Sequence, residues 1–176
     1  IVAVLIFILM SDSVIESFGN LLGFGAINTG AWGVPITVFC IVGVINALNM
    51  SDGLDTLAGG LSVVACLFVT YFALICGSVL IMSLAVSLLG CLVGFLYYND
   101  HPARTFMGDT GSLALGYSLT IMCVLFQDYN ETVPIAAISM ALILALPIFD
   151  TMLVMSLRML KGGSPFKADR THLHHR

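Results

Sequence analysis

The amino-acid sequence predicts an all-α protein, a polytopic bundle of transmembrane helices joined by polar loops. Hydrophobic residues make up 59% of the 176 positions, and charged residues make up only 9%. A soluble domain carries roughly 25% charged residues, so this composition excludes a soluble globular protein. Because lipid offers no hydrogen-bond partners to the backbone, the long apolar runs are expected to form helices.

The apolar runs place the helices in order along the chain. The first run, 1–10, is shorter than the roughly 20 residues that a bilayer requires, so we expect it to be the end of a longer helix. The remaining predicted helices are 33–48, 57–77, 78–98, 111–127 and 133–156. Only the sequence CGS separates the second and third of these, which predicts a tight helical hairpin. The whole chain is interpreted as a single membrane domain, 1–176, that is incomplete at both ends.

The charged residues predict which loops share a side of the membrane. Counting crossings places loops 49–56, 99–110 and 157–176 on one side, and loops 11–32 and 128–132 on the other. All 6 lysines and arginines lie in the first group, whereas the second group carries only acidic charge. Lysine and arginine concentrate on the cytoplasmic side of membrane proteins. We therefore expect an inner (plasma) membrane protein whose first group of loops faces the cytoplasm.

The stretch NALNMSDGLD interrupts the apolar chain with Asn46, Asn49, Asp52 and Asp55, each three positions apart. Such spacing drifts by about 60° per step on an α-helix, so one continuous helix would not direct all four side chains at one point. The Asp-Gly pair within the stretch allows the helix to end. We predict both asparagines at the end of a helix and both aspartates on the following turn. A solvated membrane exit explains the same residues, and both interpretations stay open at this point.

A second polar stretch, YYNDHPARTFMGDTGS, precedes the predicted helix 111–127. Either Asp109 or Thr110 would cap that helix, which is the structural interpretation. A helix N-terminus also attracts anions, and an aspartate there with an uncommitted oxygen could hold a metal ion that binds phosphate. The spacing alone does not decide between these interpretations.

The third stretch begins inside the last apolar run, at Asp150. An ionisable side chain at that depth is costly and is a candidate for function, although it could instead partner a polar group on a neighbouring helix. The following SPFKADRTHLHHR gathers Arg170, His172, His174 and His175. Lipid headgroups or the charge bias of membrane proteins would explain this tail too, and the histidine spacing does not favour zinc. Imidazoles beside an arginine suit a phosphate ester.

These loops would bring Asp52, Asp55, Asp100 and Asp109 together, with the cationic tail opposite. Carboxylates alone repel phosphate, so a divalent cation is expected between them. Hard oxygen ligands favour Mg²⁺, with Mn²⁺ as the alternative ion. The combination points to phosphoryl transfer at a membrane surface.

Three stretches, NALNMSDGLDTLAGG, FMGDTGS and SPFKADRTHLHH, resemble signature loops of the polyprenyl-phosphate N-acetylhexosamine-1-phosphate transferases. They follow the same order at similar separations, and the HxHH ending is similar to the branch that uses UDP-GlcNAc. The resemblance implies that undecaprenyl phosphate attacks a UDP-N-acetylhexosamine, releases UMP and initiates a cell-envelope glycan. It implies that the partners are these two substrates and the lipid bilayer, and that no nucleic acid is bound. It also allows a homodimer.

The resemblance also implies roles for individual residues. The catalytic residues would be Asp52, Asp55 and Asp109. Asp109 would bind the Mg²⁺ ion, with Asn49 as a second metal ligand. The residues that bind the nucleotide sugar would be Asn46, Asn49, Arg170, His172, His174 and His175.

Two features depart from the family pattern. Thr56 stands where the family usually has glycine, so the turn there requires a compatible backbone angle. The family also carries an Asp-Asp loop one span earlier, which would precede Ile1, and further helices after the HxHH loop. We interpret the chain as an internal fragment of the enzyme.

Three other hypotheses remain open at this point. The first is the same reaction with another UDP-sugar or with UDP-MurNAc-pentapeptide. The second is a transporter or channel in which Asp150 lines an ion path. The third is a scaffold that binds a partner enzyme and has no activity of its own.

We predict that the 176-residue chain is inactive by itself, because it lacks the family's Asp-Asp loop. The measurement is UMP release from UDP-GlcNAc in the presence of undecaprenyl phosphate. Turnover by the purified chain would contradict this prediction.

Overall fold

The computed structural model describes residues 1–19, 27–53, 55–126 and 144–160. The helices in these ranges are α1 (Val2–Ser11), a 3₁₀ turn (Gly30–Trp32), α2 (Gly33–Ser51), α3 (Leu57–Cys76), α4 (Val79–Asn99), α5 (Gly108–Leu125) and, labelled here α6, Ala145–Leu160. Within the same ranges the only β pairing is an isolated bridge between Ser17 and Asn28. The predicted all-α class is therefore confirmed.

In the described part of the chain, three helical segments are long and apolar enough to cross a membrane: Gly30–Ser51, Leu57–Cys76 and Val79–Asn99. The first continues beyond the predicted end at 48, and α5 begins at Gly108 rather than at 111. Helix α6 ends at Leu160 rather than at 156, and the first part of the predicted 133–156 helix lies outside the described residues.

Helices α3 and α4 form the predicted tight hairpin. Gly77 ends α3 in the left-handed conformation with a φ of 68°, and the Ser78 N–H donates to the Ala73 carbonyl at 3.0 Å. Ser78 then caps α4, because its hydroxyl oxygen accepts a hydrogen bond from the Ile81 N–H. Glycine adopts a positive φ without a steric penalty, which explains why the chain reverses at this residue.

Helices α2 and α5 pack closely, with the end of α2 beside the start of α5. A Cβ atom added to Gly116 would lie 2.9 Å from the Ile45 Cα atom, so the two backbones nearly touch. Leu48, Leu115 and Leu119 are buried in the core beside this contact. In membranes, small residues allow such close approach, and packing then holds the helices together.

Threonine hydroxyls tie the opposite end of α2 to the segment that follows α1. The Thr37 hydroxyl oxygen accepts from the Ile15 N–H at 2.8 Å, and the Thr29 hydroxyl donates to the Ile15 carbonyl at 2.6 Å. Both ends of α2 are therefore fixed by contacts to other segments. This fixes the position of the polar residues near Ser51.

We predict that Gly116→Ala destabilises the bundle by about 1–3 kcal/mol, because the new methyl group would force α2 and α5 apart. The measurement is the thermal unfolding midpoint in detergent. Gly43→Ala is the matched control on α2, since nothing lies within 4 Å of a Cβ atom added there. Equal midpoints for the two variants would contradict the close approach.

Candidate active site

Four helix ends meet at one end of the bundle: the ends of α2 and α4 and the starts of α3 and α5. Contacts between the loops demonstrate this, including a hydrogen bond from the Thr56 N–H to the Asn99 side chain. Loops 49–56 and 99–110 therefore lie at the same end of the bundle. Helix α2 ends at Ser51, and Asp52 and Asp55 follow on the turn, as the spacing predicts.

The contact between Asn49 and Asp109 joins the first two polar stretches. The Asn49 Nδ2 group donates to the Asp109 Oδ1 atom at 3.2 Å and to the Ser112 hydroxyl oxygen at 2.8 Å. The Ser112 hydroxyl in turn donates to the Gly108 carbonyl at 3.1 Å. The Asn49 amide group is therefore held against the first turn of α5.

Asp109 does not cap α5, and neither does Thr110. The helix begins at Gly108, and the N-cap position belongs to Met107, which makes no side-chain capping hydrogen bond. The capping interpretation is therefore wrong, because the chain enters the helix before it reaches the aspartate. Asp109 lies in the first helical turn, where the helix dipole stabilises negative charge. Its side chain is exposed.

The Asp52 carboxyl lies close enough to Asp109 for the two negative charges to repel each other. It lies at the C-cap of α2 and is half-buried. Burial, and secondarily the charge of Asp109, raises the pKa of the Asp52 carboxyl above its ordinary value of 3.8. Loss of water from the carboxylate and repulsion by a second carboxylate both disfavour ionisation. A cation between these two groups would relieve both effects.

Asp55 faces a different partner. Its Oδ2 atom lies 3.1 Å from His101 Nδ1, and the His101 side chain is 85% exposed. The His101 N–H also donates to the Asp100 carboxylate at 2.9 Å. Asp55 therefore lies beside the loop after α4, and the structure does not bring it into contact with Asp109.

Asn46 is separate from these contacts. It lies in α2, its side chain is exposed, and its Nδ2 group donates to the Val42 carbonyl one turn earlier at 2.8 Å. Of the remaining candidates, Arg170, His172, His174 and His175 lie outside the described residues. Asp150 lies in α6, and its side chain is outside the described part of that helix.

A cleft of about 540 Å³ opens beside the Asp55 turn. The residues that line it are Thr56, Gly60, Leu96, Tyr97 and Asp100. Its volume falls in the range of roughly 300–1,000 Å³ that is typical of small-molecule sites. Among the described residues, no group of three or more His, Cys, Asp and Glu side chains is arranged to hold a metal ion.

Two polar residues at this end were missed by the sequence reasoning. Ser112 follows Asp109 by almost one helical turn. This spacing within GDTGS was the signal that could have placed Ser112 near the same site. Asn99 is buried at the end of α4 and joins two loops, although it appears in the sequence as one polar residue at a membrane exit.

These features define an integral membrane protein with a carboxylate-rich site at one end of a helix bundle. The family model for Glycosyl transferase family 4 matches residues 1–127. The chain belongs to this family.

Several relatives in this family carry names that describe their activity. A probable undecaprenyl-phosphate N-acetylglucosaminyl 1-phosphate transferase of Bacillus subtilis is 45% identical over 142 residues, which cover 81% of this chain and 39% of the relative. An undecaprenyl-phosphate alpha-N-acetylglucosaminyl 1-phosphate transferase of Escherichia coli is 31% identical over 165 residues, covering 92% and 45%. A phospho-N-acetylmuramoyl-pentapeptide-transferase of Thermoanaerobacter is 46% identical over 99 residues, covering 56% and 31%. The chain thus spans less than half the length of each of these relatives.

We predict that Asp52→Asn raises the thermal unfolding midpoint at neutral pH. The folded state raises the pKa of Asp52 above 3.8, so the stability from its protonated form is complete below 3.8 and is lost as the pH rises through the raised value. Replacement by the neutral amide removes this loss, and the two midpoints should converge near about pH 3.

The measurement is the unfolding midpoint against pH in detergent without divalent cations. Asp12→Asn is the control, because Asp12 is an exposed aspartate at the opposite end of the bundle. A lower midpoint for Asp52→Asn at neutral pH would contradict the prediction.

Proposed function

We propose that the protein containing this chain transfers GlcNAc-1-phosphate from UDP-GlcNAc to undecaprenyl phosphate, with release of UMP. The observation that carries the proposal is the contact of Asn49 with Asp109, which joins two of the loops on which the family resemblance rests. The names of the Bacillus subtilis and Escherichia coli relatives support this reaction. The product would remain in the membrane and initiate a cell-envelope glycan.

The acceptor phosphate is already a competent nucleophile, so the protein's main task would be to position the two substrates and stabilise charge. Positioning of reactants and preorganised electrostatics supply much of the rate acceleration in such reactions. Asp52 and Asp55 would orient the nucleotide sugar at the turn after α2. Arg170 and the histidines His172, His174 and His175 would contact its diphosphate.

The residues present fit a divalent metal ion. Asn49 occupies Asp109 Oδ1 through its Nδ2 group, and the Asp109 Oδ2 atom has no hydrogen-bond partner in the described part of the chain. The oxygens Asp109 Oδ2 and Asn49 Oδ1 are the hard ligands that Mg²⁺, or Mn²⁺, prefers. Burial and the charge of Asp109 raise the pKa of Asp52, and a cation bound here would favour its ionised form. When bound, the ion would neutralise charge on the diphosphate.

The proposal also includes an orientation. The loops that carry Asn49, Asp52 and Asp109 would face the cytoplasm. Arg104 lies among them, and the acidic Asp12 and Glu16 lie at the opposite end of the bundle. This distribution of charge is typical of a plasma-membrane protein in that orientation.

A second candidate is transfer of phospho-MurNAc-pentapeptide, which the Thermoanaerobacter relative supports by its name. That similarity covers 56% of the chain, whereas the similarity to the Bacillus subtilis relative covers 81%. The greater coverage favours UDP-GlcNAc. The relatives also favour a transferase over an ion transporter or a scaffold, since their names describe transferases.

We predict that Asp109→Asn in the longest reading frame containing this chain lowers UMP release by about 100-fold or more, as expected for loss of one electrostatic contact in such a site. The isosteric control is Glu16→Gln, because Glu16 is exposed at the opposite end of the bundle. The assay compares UDP-GlcNAc with UDP-MurNAc-pentapeptide in membranes that contain undecaprenyl phosphate.

The same assay titrates Mg²⁺ with the wild-type protein. Equal rates for Asp109→Asn and Glu16→Gln would refute the role of Asp109. Release of UMP only from UDP-MurNAc-pentapeptide would replace the proposed substrate with the second candidate.

A further inference from the structure

We propose that Asn99 is a positioning residue that clamps the turn of residues 52–56 to the loop of residues 105–109. The proposal rests on the proposed function and adds a residue to it. The Oδ1 and Nδ2 atoms of Asn99 would not touch the reacting atoms. Its effect would be exerted through the backbone of Thr56 and Thr105.

Asn99 makes one hydrogen bond to each of these segments. Its Oδ1 atom accepts from the Thr56 N–H at 2.8 Å, and its Nδ2 group donates to the Thr105 carbonyl at 2.8 Å. The side chain is only 6% exposed, so water does not compete effectively for either bond. A buried amide with both ends satisfied holds its partners in one arrangement, because an unpaired buried polar group is costly.

Thr56 gives this clamp a specific task. Its φ angle is 67°, in the left-handed region, where a β-branched side chain is strongly disfavoured. Such a conformation persists only when its surroundings enforce it. The bond from the Thr56 N–H to the buried Asn99 amide supplies that enforcement. The resemblance in sequence led us to expect that Thr56 requires a compatible backbone angle, and the structure shows a left-handed angle together with the hydrogen bond that supports it.

The conformation of Thr56 matters because this residue connects the aspartate turn to α3. Its carbonyl accepts from the Gly60 N–H at 2.7 Å and so begins the helix. Asp55 directly precedes Thr56, and Asp109 lies four positions after Thr105. Asn99 therefore ties the turn that carries Asp55 to the segment that leads to Asp109.

The contact between Asn49 and Asp109 starts from α2, before the turn begins. The turn itself makes a further contact, between Asp55 and His101 in the loop after α4. The His101 side chain is 85% exposed, and an exposed ion pair between flexible side chains contributes little rigidity. The buried bonds of Asn99 are therefore the stronger constraint on the loops. This difference in burial is why the proposal selects Asn99 rather than His101.

The test measures whether glycine at position 56 replaces the part of the clamp that holds Thr56. Asn99→Ala removes both hydrogen bonds and should lower kcat/KM for the nucleotide sugar by about 10- to 100-fold, the scale expected for a misplaced catalytic group. Thr56→Gly should raise kcat/KM by about fivefold or more in the Asn99→Ala background, relative to its effect in the wild-type background. Glycine adopts the left-handed conformation without the clamp.

Asn99→Asp is the matched control. In this variant one carboxylate oxygen still accepts a hydrogen bond from the Thr56 N–H. The other oxygen replaces the Nδ2 donor, so the hydrogen bond to the Thr105 carbonyl is lost. Its loss of activity should therefore persist when Thr56→Gly is added. A fall in kcat with little change in KM for undecaprenyl phosphate would separate positioning of the aspartates from loss of the lipid-binding surface.

Thermal unfolding midpoints of the same variants give a reading that needs no activity. If the wild-type protein releases no UMP, the proposed function fails, and rescue of the Asn99→Ala midpoint by Thr56→Gly decides the clamp separately. Absence of rescue in both measurements would overturn the proposal. Equal rescue of Asn99→Ala and Asn99→Asp would also overturn it, because the two hydrogen bonds would then have no separate roles.

Discussion

The site depends on the close approach of α2 and α5. Gly116 leaves no side chain between the two backbones, so the end of α2 lies against the first turn of α5. The Asn49 amide can then reach both Asp109 and Ser112. A wider spacing of the helices would break both hydrogen bonds at once. The geometry of the polar residues is therefore a consequence of packing inside the apolar part of the bundle, where lipid supplies no competing partners.

The electrostatics of this end follow from the same packing. Asp52 is half-buried beside Asp109, and both effects oppose its ionisation. A structure selected only for stability would pair or remove such a carboxylate, because unpaired charge out of water is costly. Proteins accept such a cost mainly at sites that bind or react. A half-buried carboxylate beside a second one is thus better explained by a binding or reaction site than by a solvated membrane exit.

The sequence was sufficient to predict the helical class, the α3–α4 hairpin and the shared end of loops 49–56 and 99–110, since these depend on the lengths of apolar runs. It was insufficient for the contact between Asn49 and Asp109, which are 60 positions apart and meet only through helix packing. Helix α5 begins slightly before the predicted start near residue 111, because Gly108 already enters the helix and Asp109 follows it. Asn99 was missed because neither its burial nor its two hydrogen bonds can be inferred from a single polar residue in the sequence.

The α3–α4 hairpin has a consequence for how the protein is assembled. Its turn satisfies its own backbone through Gly77 and Ser78, and much of α4 exposes apolar side chains such as Leu80, Leu84 and Val93. A hairpin with these properties can enter the bilayer as a unit before its neighbours are in place. The Asn49 amide at the end of α2, by contrast, acquires its partners Asp109 and Ser112 only when α5 docks on α2. The site would then be complete only after these helices have associated.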